Sequence, residues 1–225
     1  MTKIRSHAPG EYYHIYNRAA HKLALFRDKN DWKRFIFSIL YYQSPHGITH
    51  VTRAIQPDSL VNGFSLPLQE QELIVQNRFV ELVAFCVMSN HFHLLVRETH
   101  EGGISRYMQR VSLSYTKYFD TKYEASGHVF QGTYKSVLVK DDKQLMHLSA
   151  YIHRNPRELR EWKNKEESYP YSSLQDYVDK NRWGALLATD IIAGRFDATP
   201  KSNYADFVRT SPAKLLEEEF GERNT

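Results

Sequence analysis

A single cysteine in 225 residues excludes an intrachain disulfide. That residue, Cys86, lies in the apolar segment Leu82-Val83-Ala84-Phe85-Cys86-Val87-Met88, where a thiol packs rather than reacts. Redox chemistry and a disulfide-stapled scaffold are set aside. No run approaches the roughly 20 apolar residues of a membrane span, and Met1-Thr2-Lys3-Ile4-Arg5-Ser6-His7 lacks the apolar segment of a signal peptide. The expected location is the cytoplasm, with no membrane partner. Internal repeats and low-complexity tracts are missing as well, which removes solenoids and disordered linkers. Neither sign of charge dominates: 30 Lys and Arg against 26 Asp and Glu leave +4, a weak bias toward an anionic partner.

Against these absences stands His91-Phe92-His93, inside the apolar run Val87 to Val96. In a strand, side chains alternate between faces, so both imidazoles point one way while Phe92 and Leu94 point into a core. Two aligned imidazoles are half of a metal site; the plain alternative is a pair of hydrogen-bonded histidines on a half-buried strand. A second feature lies 60 residues on. Leu145, Leu148 and Ile152 form the buried stripe of a helix, and at 100° per residue Tyr151 and Asn155 fall on one flank of it, one turn apart. A hydroxyl and an amide oxygen would then face one region. Each is also common in isolation, as a core-edge tyrosine and a helix-ending asparagine. His147 and His153 share the helix and are further candidates for a base or a DNA contact.

The remaining elements follow from local pattern. Tyr12 to Asn17 reads as a strand, and Asp28 caps a helix in which Trp32, Phe35, Ile36, Ile39 and Leu40 recur, ending near Ser44-Pro45-His46-Gly47. Residues 48–78 carry Pro57, Gly63 and Pro67 with no sustained period and read as an elaborated connection. Strands over 79–88 and 91–97, joined at Ser89-Asn90, form a hairpin. An amphipathic helix follows through Ile104, Met108, Val111, Leu113, Tyr115 and Phe119, then a strand over 134–139. Asp141 or Asp142 caps the helix bearing Tyr151, which must stop near Asn155 because Pro156 disfavours helical geometry in the preceding residue. Residues 215–220 read as an acidic amphipathic helix.

Seven segments, in order, resemble the HUH single-tyrosine transposases, in particular the REP-associated tyrosine transposase branch. They are Tyr16-Asn17-Arg18, Met88 to Val96, Ser105-Arg106-Tyr107-Met108-Gln109, Ser114-Tyr115 through Tyr118-Phe119, Gly127-His128-Val129-Phe130-Gln131-Gly132, Tyr151-Ile152-His153-Arg154-Asn155-Pro156 and Tyr169-Pro170-Tyr171-Ser172-Ser173. Together they span roughly residues 10 to 178.

The resemblance implies an α+β fold, an antiparallel sheet of four to five strands with packed helices and a ferredoxin-like or RRM-like core. It places a catalytic domain in residues 1–180, with residues 181–225 as a C-terminal extension, helical in part. It implies that Tyr151 is the nucleophile, with Tyr115 the next candidate, and that His91, His93 and Asn155 hold a divalent ion. Oxygen from the substrate and two or three neutral protein ligands suit Mg2+ or Mn2+ better than structural zinc. The activity implied is cleavage and rejoining of single-stranded DNA at hairpin-associated sites through a 5′-phosphotyrosine intermediate. The partner is single-stranded or hairpin DNA, association with the nucleoid accompanies binding, and a homodimer is compatible with this reading. Cations interleaved with tyrosines around the motifs suit phosphate contacts with base stacking; Arg18, Arg106, Arg110, Lys117, Lys135, Arg154 and Arg157 are the expected DNA contacts. Two competing readings remain. One is a non-catalytic DNA-binding protein that keeps the fold as a repressor or chromosome-associated factor; the other is an RNA-binding protein, against which stands the lack of an ordered RNP-type aromatic signature.

Overall fold

The two apolar runs flanking Ser89 and Asn90 form the expected hairpin. In a computed structural model that describes residues 7–20, 24–47, 51–196, 200–212, 218 and 220, β1 spans Tyr12–Arg18, β2 Val80–Val87 and β3 His91–Glu98. The Met88 N–H closes the turn on the His91 carbonyl at 2.8 Å. β1 lies against β3, with Tyr16 opposite His93 and Arg18 opposite His91. β4, Lys135–Leu138, pairs with the other side of β1 and completes an antiparallel sheet in the order β2-β3-β1-β4.

α1, Lys29–Tyr41, begins where its cap dictates. The Asp28 carboxylate accepts from the N–H groups of Asn30 and Asp31, and Asp31 accepts in return from the Asp28 N–H, a reciprocal box whose loss costs about 1 kcal/mol. The stretch 48–78, read as an elaborated connection rather than core, holds three short helices over its described residues: α2 (Val51–Ala54), α3 (Ser59–Asn62) and α4 (Leu68–Gln76). Each is too short for a 3.6-residue period to show in the sequence, yet Ala54, Leu60, Phe64 and Ile74 are buried and Phe64 stacks on Trp183 at 5.2 Å. α5 runs Gly103–Tyr123 and α6 Asp142–Arg154; α7 (Leu174–Val178), α8 (Asp190–Ala193) and α9 (Pro200–Thr210) follow.

Strand alternation divides the core into two layers. Ile15, Phe92, Leu94 and Val96 face α1 and α5, meeting Phe35, Ile36, Tyr107, Val111 and Tyr115. Leu95 and Cys86 face the other way, toward Leu145, Leu148 and Ile152 of α6. A register shift in β2 between Leu82 and Ala84 turns Val83 and Ala84 together into this second layer. Residues beyond 180 are built into both layers: Trp183, Leu186 and Leu187 enter the first, and Ile192, Tyr204 and Val208 the second. The acidic helix read over 215–220 falls largely outside the described residues; Glu218 and Phe220 are helical, and Phe220 is buried in the second layer. Among the described residues no helix is long and apolar enough to cross a membrane.

Candidate active site

β3 turns His91 and His93 toward the α6 face of the sheet, His91 partly exposed and His93 buried. α6 is started by Asp141, whose carboxylate accepts the Gln144 N–H at 2.7 Å, and is seated by its apolar stripe. Tyr151, beside that stripe, sets its ring edge-on to His93 (centroids 5.5 Å apart, 82° between planes) and to His14 (5.9 Å, 79°). Tyrosine and histidines therefore meet within one chain. Tyr115 is fully buried on the opposite face of the sheet, its hydroxyl donating to the Leu25 carbonyl at 2.7 Å, so it is no rival to Tyr151.

The end of α6 differs from expectation in an informative way. Pro156 does end the α-helix at Arg154, but Asn155 keeps helical angles (φ −48°, ψ −38°) and the chain tightens into a 3-10 turn over Asn155–Glu158. The Asn155 N–H moves to the Ile152 carbonyl, while the side-chain Nδ2 donates to the Tyr151 carbonyl at 2.9 Å and replaces the lost main-chain bond. With its nitrogen so committed, the amide points Oδ1 at His91 Nε2, 3.4 Å away. The other nitrogen of His91, Nδ1, lies 2.7 Å from Asn90 Oδ1. A proton on Nδ1 donated to Asn90 leaves Nε2 and the Asn155 oxygen facing each other as two acceptors, an arrangement that a cation between them relieves. These donors fit a hard divalent ion that keeps further positions for substrate oxygens. Among the described residues, no group of three or more His, Cys, Asp or Glu gathers to form a closed site.

His14 belongs to the same cluster, although the sequence did not single it out. Its Nε2 lies 2.9 Å from His93 Nδ1, and the Tyr16 ring stacks on His14 at 4.8 Å and on His93 at 5.8 Å. Burial lowers the His14 pKa to about 3. Burial also holds His93 well below the ordinary histidine range, with His14, His91 and Arg18 adding to the effect. Both rings are neutral at pH 7, the form in which an imidazole nitrogen has a lone pair for an ion. Phe220 packs against the Tyr151 ring at 5.7 Å.

Two of the seven expected DNA contacts adjoin this cluster. Arg18 is the β1 neighbour of His91, and Lys135 holds its ammonium 5.7 Å from the centre of the Tyr16 ring. Arg106, Arg110 and Lys117 lie on α5, which packs on the opposite face. There Arg106 donates to the Glu101 carbonyl, Arg110 donates to the Pro45 and His46 carbonyls, and Lys117 is exposed at the α1–α5 seam. Arg154 donates to the Val208 and Ser211 carbonyls at the end of α9, and Arg157 pairs with Glu166.

His147 stacks on Phe207 at 6.3 Å. His153 is fully buried, its Nδ1 2.6 Å from the Tyr204 hydroxyl and its Nε2 2.7 Å from Ser173 Oγ, so it ties α6 to α7 and α9 rather than serving as a base. Burial lowers its pKa to about 3. Between the unfolded value near 6.5 and that depressed value the unfolded chain holds a proton the native chain lacks, so stability falls as pH falls through this window. From pH 7 to pH 5, His153 should contribute a loss of about 2 kcal/mol. Urea titrations at the two pH values should show wild type losing that much more than His153→Gln, which has no imidazole to protonate. Equal losses would mean that native His153 already carries the proton.

Residues 71–155, the span from α4 to Asn155, match a family model described as transposase, IS200-like. The solved structure of a REP-associated tyrosine transposase bound to a REP hairpin aligns with a TM-score of 0.51 at 15% identity, covering 85% of this chain and 93% of that one. No curated protein matches the chain. The chain thus has the fold of a REP-associated tyrosine transposase, with IS200-like transposase sequence over the span that carries His91, His93, Tyr151 and Asn155.

Proposed function

We propose that this protein is a metal-dependent endonuclease and strand transferase for single-stranded DNA, acting at hairpin-associated sites through a 5′-phosphotyrosine intermediate. The observation that carries the reading is the meeting of Tyr151, His93, His91 and Asn155 on one sheet face, with the Asn155 oxygen turned to His91 by the bond that its own nitrogen makes to the Tyr151 carbonyl. The hairpin substrate is suggested by the fold's likeness to a protein solved with a REP hairpin.

In this reading the Tyr151 oxygen attacks phosphorus, the P–O3′ bond breaks, the phenolic proton is lost and the 3′-oxygen leaves as a hydroxyl. The phosphotyrosine stores the ester bond energy, so a second 3′-hydroxyl can reverse the reaction onto a new strand. His91 and His93, through Nε2, and Asn155, through Oδ1, would hold Mg2+ or Mn2+, which when bound neutralises the phosphate charge and steadies the leaving oxygen. Arg18 and Lys135 flank this group and supply phosphate contacts. Since Tyr151 and the histidines come from one chain, a homodimer is not required to complete the set.

A non-catalytic DNA-binding role, as a repressor or chromosome-associated factor, is the second reading. It draws on the burial of Tyr151, 8% exposed with Phe220 against its ring. A labelled single strand carrying a hairpin, incubated with the protein and Mn2+ or Mg2+ and run on a denaturing gel, decides between them. A protein–DNA band that EDTA prevents is expected; hairpin binding with no adduct at any metal concentration would give the second reading the field.

A further inference from the structure

We propose that His14 is the positioning residue that fixes the proton of His93 on Nδ1 and so presents His93 Nε2 to the ion; this rests on the metal reading above. His14 lies diagonal to His93 across β1 and β3, since Tyr16 is directly opposite His93 and His14 is opposite Leu95. The two rings are 2% and 1% exposed, and the 2.9 Å bond between His14 Nε2 and His93 Nδ1 joins them.

A neutral imidazole has one N–H and one lone pair. Because His93 Nδ1 is engaged by His14, the nitrogen left for an ion is Nε2, and its lone pair is available only when Nδ1 carries the proton. His93 Nδ1–H must then donate to His14 Nε2, which places the proton of His14 on its own Nδ1. The pair is thereby a two-ring relay of fixed polarity. Tyr16, stacked on both rings, and Tyr151, edge-on to both, hold the two ring planes.

His91 has the same arrangement with a different partner, its Nδ1 held by Asn90 Oδ1 and its Nε2 turned to Asn155. Histidine ligands more often give their second N–H to a carboxylate or a carbonyl, which raises their basicity. Here both outer partners, Asn90 and His14, are uncharged. The consequence is a site in which two imidazoles, an amide and their supports carry no negative charge, so the whole charge of the ion is left to the phosphate.

The test uses the full chain, with 15N-labelled histidine and long-range 1H–15N spectra, alongside Mn2+ binding by calorimetry. In metal-free wild type, His93 should show a protonated Nδ1 and a bare Nε2. His14→Phe keeps a ring to stack on Tyr16 but removes the acceptor; His93 should move its proton to Nε2, and Mn2+ binding should weaken about 10- to 100-fold. His14→Gln, which restores an acceptor, should return the His93 signature and most of the affinity. A bare Nδ1 in the wild type, or an unchanged His93 signature and Mn2+ affinity in His14→Phe, would overturn the assignment. If wild type shows the expected His93 signature and His14→Phe loses it, yet wild type binds no Mn2+, the tautomer assignment stands and the metal reading falls.

Discussion

Tyr151→Phe is expected to abolish the covalent protein–DNA adduct and to lower strand cleavage by about 10⁴-fold or more, as removal of a sole nucleophile does elsewhere. Hairpin affinity should stay near wild type, because phenylalanine keeps the ring that packs edge-on to His93 and His14 and against Phe220, and only the hydroxyl goes. Folding should be little disturbed for the same reason, with a cost of about 1 kcal/mol or less for one hydroxyl at a nearly buried position. The measurement is the denaturing-gel adduct assay paired with a binding titration on the same hairpin. An adduct that survives in Tyr151→Phe would reassign the nucleophile, and Tyr115 could not take its place, since its hydroxyl is bonded to the Leu25 carbonyl behind the sheet.

What could be read from residue order alone was set by how local the determinants are. Strand alternation and helical phase are local, so His91 and His93 on one face, and Tyr151 one turn from Asn155, were legible before any strand was paired. Asp28 was legible as a cap, and Asp141 as one of two candidates beside Asp142, because a cap acts on residues two or three positions away. His14 was not legible. It alternates correctly within β1, but its value comes from the pairing of β1 with β3, which joins residues 79 positions apart and leaves no periodic trace. Two of the seven expected DNA contacts, Arg18 and Lys135, adjoin the cluster for a related reason. Arg106, Arg110 and Lys117 are near the motifs in sequence, but α5 leaves the end of β3 and packs on the face away from His91, while Arg18 and Lys135 reach the site through strand register. The helices of 51–76 left no sustained period because none of them exceeds about two and a half turns.

His91→Ala and His93→Ala are expected to abolish cleavage alike, but to differ in what they do to the fold. His91 is partly exposed, bonded to Asn90 and facing the Asn155 oxygen at the rim, so its removal takes away a nitrogen donor and little packing. A fall in cleavage of at least about 100-fold with a stability change under about 1 kcal/mol is the expected pair of results. His93 is buried in the stack with Tyr16 and His14, so its truncation removes the second nitrogen donor, opens a cavity and leaves His14 Nε2 without its partner. That should cost about 2–4 kcal/mol in urea denaturation besides the activity. The contrast matters because loss of cleavage in His93→Ala alone could reflect a loosened site, whereas loss in His91→Ala with an unchanged denaturation midpoint cannot. If His91→Ala cleaves at the wild-type rate across the full range of Mg2+ and Mn2+ concentrations, the imidazole pair is structural, and the chemistry must be sought outside the group formed by His91, His93, Tyr151 and Asn155.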